Sequence, residues 1–231
     1  MLIYNYSWPM SNRLNILKKD LLAQKLNHEE LFQKNLIDQN TFFFVDFLKD
    51  QEQEYYAKSL IANYFSVHIQ DVMFVGSAKL GYSLNPKNLF RPFDGQYEQS
   101  RQNKDRSDLD VAIISRPLFE DLSERIYHYT DSFNRQWTEN EYYPKERGLT
   151  FNVPICYKYF EYFSKGWFRP DMKPKGFELC NTSSYEDLKR DIYNKYRRKL
   201  GVAIYKDWFY FKYYHINNFK ILTYRIKSET L

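Results

Sequence analysis

The sequence predicts an α+β (mixed α/β) fold, in which a sheet is flanked by helices, with a helical N-terminal lead and a helical C-terminal part. Two short apolar runs, Asp71–Val75 and Leu109–Ile114, are bounded by polar or glycine-containing segments, as buried strands are. The stretches around these runs carry apolar residues at helical spacing. With 231 residues, 43% of them hydrophobic, the chain is long enough to bury one full-sized core or two small ones.

The N-terminal lead is predicted to be helical. In residues 12–26, leucines recur every three or four positions and would form one apolar stripe along a helix. Thr41 is placed to cap a second, longer helix that runs to about Phe65. The apolar positions of this second helix are Phe44, Phe47, Leu48, Tyr55, Leu60, Ile61 and Tyr64.

The middle of the chain alternates between strands and helices. After the strand Leu109–Ile114, Pro117 indicates a helix, because proline is favoured in the first helical turn. Residues Leu149–Cys156 are predicted to form a strand, which Pro154 restricts to a sheet edge or to a short length. Residues 166–176 contain two prolines and are expected to be a connector.

The C-terminal part begins with a capping-box pattern. Ser183 and Ser184 precede Glu186 and Asp187, which predicts the start of a helix that reaches about Arg198. Val202–Tyr205 is predicted to be a short strand, and Asp207 to cap a last, strongly aromatic helix.

Three consecutive regions follow from this order of elements. Residues 1–65 form a helical region, residues 66–160 the sheet-containing core, and residues 161–231 a basic and aromatic α/β part that completes the sheet. A polar segment, residues 83–107, is predicted to be a long loop inside the core, and loops of this length are usually functional or disordered.

Composition excludes several classes of protein. The longest apolar run is Phe42–Val45, whereas a membrane-spanning helix needs about 18 apolar residues. Met1–Met10 has no basic segment that leads into an apolar stretch, so we expect a cytoplasmic protein that makes no membrane contact. Cys156 and Cys180 have no metal-like spacing and fit buried free thiols in a reducing compartment.

Aromatic residues make up 19% of the chain. They would suit stacking surfaces for nucleic-acid bases, but a general compositional bias explains them as well, and we favour the bias. The net charge of +5 is more informative because it is uneven: residues 189–231 carry 11 Lys and Arg against three Asp and Glu. Such an asymmetry suggests an anionic partner for the C-terminal part.

The candidate chemistry lies at the ends of the two central strands. Strand side chains alternate between faces, so Asp108 and Asp110 would point to the same side. Two neighbouring carboxylates need a cation, and their oxygens suit Mg²⁺ or Mn²⁺. Gly76 allows a tight turn after the first strand, and Ser77 with the amides that follow can hold phosphate oxygens. Either pattern alone occurs often by chance, but the ordered combination is much less common.

This combination resembles the signature of the nucleotidyltransferase superfamily with a DNA polymerase β-like fold. The similar segments are Phe74-Val-Gly-Ser-Ala-Lys-Leu-Gly-Tyr-Ser83 and Ser107-Asp-Leu-Asp-Val-Ala-Ile-Ile114, and the resemblance is good over about residues 55–135. It looks most like bacterial members, including those of toxin–antitoxin and phage-defence loci. The resemblance implies a nucleotidyltransferase-like sheet, an NTP substrate (ATP in the first instance) and Mg²⁺ or Mn²⁺ as cofactor.

The resemblance also implies roles for individual residues. Gly76 and Ser77 would contact the triphosphate, and Asp108 and Asp110 would bind metal. Lys79 would add positive charge near the phosphates, unless it is an ordinary solvated lysine.

The family's third carboxylate has no obvious counterpart. Asn152 stands where an acid is expected, and asparagine is a poor Mg²⁺ ligand. Glu178, between apolar neighbours, is our first choice as the third catalytic and metal-binding acid, with Asp207 and Asp171 as alternatives. The sequence departs from the family pattern a second time in the long stretch 83–107. Its basic residues would either line the path of the substrate or lie on the surface of a tolerated insertion; they are Arg91, Arg101, Lys104 and Arg106.

The C-terminal segment permits two interpretations. Its Lys and Arg residues stand among Trp208, Phe209, Tyr210, Phe211, Tyr213 and Tyr214, as in a nucleic-acid groove. The same pattern fits a helix whose aromatic stripe packs into the core while its lysines reach solvent.

The favoured function is a metal-dependent nucleotidyltransferase that moves a nucleoside monophosphate from an NTP to a hydroxyl of RNA, a protein or a nucleotide. Two alternatives stay open. One is a catalytically inactive member of the fold that acts as a binding partner in a phage-defence or toxin–antitoxin complex. The other is an RNA-binding module in which the carboxylates are incidental.

Overall fold

A computed structural model gives the structure of residues 12–134, 137, 141–142, 153–180 and 183–229, and only these are described. The fold is α+β, as predicted, with a four-stranded mixed sheet in the order β1-β2-β6-β5. A separate pair, β3 and β4, is antiparallel. The described strands are β1 (Val72–Val75), β2 (Leu109–Ile114), β3 (Glu141–Tyr142), β4 (Val153–Pro154), β5 (Trp167–Phe168) and β6 (Leu200–Tyr205).

Helices make up most of the described chain. They are α1 (Asn12–Ala23), α2 (His28–Phe32), α3 (Glu52–Phe65), α4 (Gly76–Leu80), α5 (Gly95–Ser100), α6 (Arg116–Tyr129), α7 (Ile155–Phe163), α8 (Tyr185–Tyr196) and α9 (Trp208–Glu229). Two π-helical segments, Gln33–Asp38 and Phe43–Phe47, lie between α2 and α3.

The chain divides into two compact units, each assembled from non-consecutive segments. The first contains residues 1–55, 74–110 and 212–231, and the second contains residues 56–73 and 111–211. The division passes through β1, α3, β2 and α9. The predicted boundaries after residues 65 and 160 stay predictions.

In the first unit, α1 confirms the predicted leucine stripe, with Leu14, Leu17 and Leu21 buried. The single helix predicted from Thr41 to Phe65 is wrong. The chain forms the π-helical segment Phe43–Phe47, passes through Lys49 at a φ of +57°, and begins α3 only at Glu52. The Thr41 hydroxyl donates to Glu54 Oε1 at 2.8 Å instead of capping a helix.

An aromatic cluster explains this interruption. Phe43 and Phe44 are fully buried, and the Phe44 ring lies 4.9 Å from that of Phe74 on β1. The Phe43 ring lies 5.7 Å from that of Phe93, in the segment between β1 and β2. Consecutive residues of an α-helix point about 100° apart, so a widened turn helps to bring these neighbouring rings into one cluster.

Helix α2 was not predicted, although a signal for it is present. The Asn27 side chain accepts hydrogen bonds from the backbone N–H groups of Glu29 and Glu30, and the Glu30 carboxylate accepts from the Asn27 N–H. This is a complete capping box, and Leu31 and Phe32 behind it are buried.

In the second unit, α6 begins at Arg116 with Pro117 in its first turn, as predicted, and buries Phe119, Leu122 and Ile126. Strand β6 confirms and extends the predicted strand Val202–Tyr205 by two residues. It pairs antiparallel with β5, with Trp167 opposite Tyr205. Strand β5 lies where only a connector was expected.

The strand predicted over Leu149–Cys156 is wrong in its second half. Of the described residues in this predicted strand, only Val153 and Pro154 are in a strand, and α7 begins at Ile155. Residues 149–152, including Asn152, lie outside the described residues. The reason for α7 is packing: Tyr159 is fully buried, and the Phe163 ring stacks on that of Phe119 at 5.1 Å.

Helix-capping predictions near the C-terminus are confirmed. Ser184 caps α8 in a capping box with Asp187. At the start of α9, the backbone N–H of Phe209 donates to Asp207 Oδ1 at 2.9 Å. Within the described part of the chain, no helix is long and apolar enough to cross a membrane.

Candidate functional site

The site begins with the turn that follows β1. Gly76 has a φ of +63°, a left-handed conformation that glycine adopts without penalty, and α4 starts at this residue. A Cβ atom added to Gly76 would lie 2.9 Å from Oδ2 of Asp110. The backbone at the end of β1 therefore approaches the carboxylate at the start of β2 more closely than any other residue type would allow.

The two aspartates lie on one side of β2. Leu109 and Val111 are buried, whereas Asp108 and Asp110 are exposed. From Val111 onward the strand is buried on both faces. Asp110 is thus the one residue of β2 that is open to solvent, and Asp108 lies directly before the strand.

A pair of hydrogen bonds holds the chain that leads into β2. The Ser107 N–H donates to Asp94 Oδ1 at 2.8 Å, and the Asp94 N–H donates to Ser107 Oγ at 2.9 Å. Asp94 is 5% exposed and has a φ of +59°. This reciprocal pair closes the segment 94–107 directly before Asp108. Sequence reasoning missed both residues, and no motif marks them.

The segment 83–107 contains more structure than a loop. It includes α5 and two short 3₁₀ turns, at Pro86–Asn88 and Asn103–Asp105. Its basic residues make local contacts: Arg91 donates to Gln96 at 3.0 Å, and Arg106 lies over the Tyr97 ring at 4.1 Å.

Ser77 and Lys79 have different surroundings. Ser77 is half-buried in the first turn of α4, and its carbonyl accepts the Gly81 N–H at 2.8 Å. Lys79 is buried, and its ammonium donates to the Gln39 carbonyl. Arg13 donates to the Lys79 carbonyl at 3.2 Å. These contacts tie α4 to the N-terminal lead, so Lys79 has a structural role there, and its predicted phosphate contact stays a prediction.

The candidates for a third acid all belong to the second unit, whereas Asp108 and Asp110 belong to the first. Each candidate carboxylate already has a cation beside it. Glu178 is exposed on irregular chain, 3.9 Å from the Lys173 ammonium.

The other two candidates are paired more closely. Asp207 caps α9 and forms an ion pair with Arg116 at 2.5 Å. Asp171 contacts Arg169 at 3.0 Å and Lys189 at 3.5 Å. These contacts account for both acids as structural groups.

The two carboxylates of Asp108 and Asp110 are a ligand set that suits a metal ion held partly by the substrate. Among the described residues, no three His, Cys, Asp or Glu side chains lie together as a metal-binding group. Mg²⁺ is commonly bound through one or two carboxylates plus substrate phosphates, and the two exposed aspartates beside the Gly76 turn supply that number of ligands. The arrangement fits one divalent cation shared with a triphosphate.

Helix α9 confirms that part of the aromatic C-terminus packs into the core, and the nucleic-acid groove stays a prediction for its exposed side. Its buried side chains are Phe211, Ile216, Phe219, Leu222 and Ile226. Its exposed large side chains are Trp208, Phe209, Tyr213, Tyr214, Ile221 and Tyr224. Several basic residues of the segment are in ion pairs, including Lys212 with Glu29 at 2.8 Å and Lys206 with Glu120 at 3.4 Å.

Comparison with models of protein families, with curated proteins and with solved structures finds no match to this chain.

Proposed function

We propose that the chain is a metal-dependent nucleotidyltransferase that transfers a nucleoside monophosphate from an NTP, ATP in the first instance, to an acceptor hydroxyl on RNA, a protein or a nucleotide. The observation that carries the proposal is the contact between the Gly76 turn and the Asp110 carboxylate. A phosphate-binding turn and a metal-binding acid must lie side by side if both are to hold one triphosphate.

Each residue of the site has a task in this reaction. Asp108 and Asp110 would hold Mg²⁺ or Mn²⁺, which supplies charge neutralisation for the triphosphate oxygens. The half-buried start of α4, with Gly76 and Ser77, would position the phosphates through backbone N–H groups and the hydroxyl. The Asp94–Ser107 pair keeps Asp108 in place.

The reaction is an in-line displacement at the α-phosphate. The acceptor oxygen forms a new P–O bond, the bond between the α-phosphate and the pyrophosphate oxygen breaks, and pyrophosphate leaves. Because this chemistry depends mainly on positioning and on charge stabilisation, loss of either aspartate should lower the rate by orders of magnitude.

The test is transfer of label from α-³²P-labelled NTPs to total cell RNA or protein, with Mg²⁺ or Mn²⁺. The variants are Asp108→Asn and Asp110→Asn, which preserve side-chain shape on an exposed face. The matched control is Asp121→Asn, which changes an exposed acid of α6 that pairs with Arg125 at 3.2 Å. We expect transfer with the wild type and the control, and loss of transfer with both site variants.

Two results would contradict the proposal. Metal-dependent NTP binding without transfer to any acceptor would support the inactive member of the fold as a partner in a phage-defence or toxin–antitoxin complex. Transfer that persists in both site variants would show that the aspartates do not carry the chemistry.

A further inference from the structure

We propose that the outer face of α9, together with the adjoining segment 84–92, binds single-stranded RNA. We call this surface the α9 face and define it by Tyr213, Asn217, Lys220, Tyr224 and the 84–92 segment. The proposal goes beyond the nucleotidyltransferase activity and does not depend on it, because binding can be measured without any NTP.

The helix presents the α9 face to solvent. Tyr213, Asn217, Lys220 and Tyr224 follow one another at intervals of four, three and four residues, so they form one stripe along the helix. Tyr213 is 44% exposed and Tyr224 is 74% exposed. The opposite stripe is buried and holds the helix in place. The Tyr213 and Tyr224 rings thus both keep a large part of their surface open to solvent.

The 84–92 segment contacts α9 on the side next to this stripe, at the residues that follow Lys220 and Tyr224 in sequence. The Arg225 guanidinium donates to the Pro86 carbonyl at 3.0 Å. Leu84, Pro86 and Leu89 line a small pocket together with Ile221 and Leu222 of the helix. The segment and the C-terminal half of α9 thus form a continuous surface within the first unit.

The two segments contribute charge of one sign to this surface, and the acid Glu29 pairs with Lys212 near the start of the helix. Residues 208–228 contain no Asp or Glu, and neither do residues 84–93. The two segments supply Lys87, Arg91, Lys220 and Arg225. Segments that contribute cations and no acids complement a polyanion, and interspersed exposed rings complement unstacked bases.

The side-chain chemistry favours RNA over an anionic membrane and over DNA. A membrane-binding helix needs a broad apolar face, whereas Ile221 is the sole exposed aliphatic residue among the described residues 212–226. The exposed stripe instead carries phenol hydroxyls and the Asn217 amide. These groups donate and accept hydrogen bonds, as recognition of a ribose 2′-hydroxyl requires.

The experiment is fluorescence anisotropy of the full chain with a labelled 12-nucleotide single-stranded RNA of mixed sequence, over a series of salt concentrations. A DNA of the same sequence and phosphatidylserine vesicles are measured in parallel. The variants are Tyr224→Ala, Tyr213→Ala/Tyr224→Ala and Lys220→Gln. The controls are Tyr157→Ala, which removes a 62% exposed tyrosine from α7, and Lys19→Gln, which removes an exposed lysine from α1.

We expect saturable, salt-sensitive RNA binding that is tighter than DNA binding. Tyr224→Ala should weaken it by about five-fold or more, because stacking of one base on a ring contributes about that much. Lys220→Gln should reduce the slope of log affinity against log salt by about 0.7, the value for one lost phosphate contact on a single strand. Both controls should bind as the wild type does.

Four results would overturn the proposal. They are the absence of RNA binding at low salt, equal weakening by the control variants, DNA binding as tight as RNA binding, and vesicle binding that falls in the α9 variants while RNA binding does not. A circular-dichroism melt of each variant checks that a loss of binding does not reflect unfolding.

Discussion

The contact between Gly76 and Asp110 can be tested without assuming any function. Replacement of Gly76 by alanine places a side chain in a left-handed backbone conformation and puts its Cβ 2.9 Å from Asp110 Oδ2. The backbone conformation costs about 1–2 kcal/mol for a residue with a Cβ. The close approach adds a second cost because the carboxylate must move away.

A double-mutant cycle separates these two costs. The free energy of unfolding is measured in urea for the wild type, Gly76→Ala, Asp110→Ala and the double variant. In the Asp110→Ala background the carboxylate is gone, so only the backbone cost remains for Gly76→Ala. We expect Gly76→Ala to destabilise the wild type by about 2–3 kcal/mol and the Asp110→Ala protein by about 1–2 kcal/mol.

The difference, a coupling energy of about 1 kcal/mol, measures the contact itself, since other effects of losing the Asp110 side chain cancel in the cycle. If the two substitutions were additive within about 0.3 kcal/mol, the turn and the carboxylate would not be in contact. The argument for a shared phosphate and metal site would then fail.

Two further predictions concern the same unit. Asp94→Ala should lower the free energy of unfolding, measured by urea titration, by about 2 kcal/mol. The substitution removes the acceptor for the Ser107 N–H and leaves alanine in a left-handed conformation. Asp94→Asn keeps an acceptor oxygen and tolerates that conformation, so it should cost clearly less; equal losses would contradict the reciprocal pair. Burial lowers the pKa of the His215 imidazole to about 3, from 6.5 in the unfolded chain. Between these two pH values only the unfolded chain binds the extra proton, so the free energy of unfolding falls as the pH drops from about 6.5 towards 3. His215→Phe should reduce the slope of the free energy of unfolding against pH by at most about 1.4 kcal/mol per pH unit. Urea titrations at pH 7, 6 and 5 measure this slope. An unchanged slope would show that His215 does not cause the loss of stability.

The elements predicted correctly are those set by local pattern. The bounds of β2 match the predicted strand Leu109–Ile114, because its residues from Val111 onward are all apolar, as a strand buried on both faces requires. Helix α8 begins after the Ser184 cap because capping chemistry is complete within four residues. Such signals depend little on the rest of the chain.

The elements predicted wrongly are those decided by distant contacts. The run from Thr41 to Phe65 has helical spacing throughout, yet it breaks because Phe43 and Phe44 pack on rings of β1 and of the segment that follows it. Strand β5 has only two residues and exists through its pairing with β6, which lies more than 30 residues away in sequence. Neither partner can be identified from the local sequence.

The residues of the candidate site show the same contrast between local sequence signals and distant contacts. The placement of Asp108 and Asp110 on one side follows from the alternation of side chains along an extended chain. The turn at Gly76 follows from the left-handed conformation, which glycine alone adopts without strain. A third acid has no such local rule, because its position depends on the packing of a different part of the chain. From sequence, Glu178 is chosen for its apolar flanks and Asp207 for its place after a strand, while Asp171 is a weaker choice in a turn-like segment. The structure gives each of these acids a neighbouring cation. Under the proposed function, a metal shared between two aspartates and the substrate's own phosphates would need no third acid for binding, so NTP affinity in the presence of Mg²⁺ would depend on residues that the sequence already identifies.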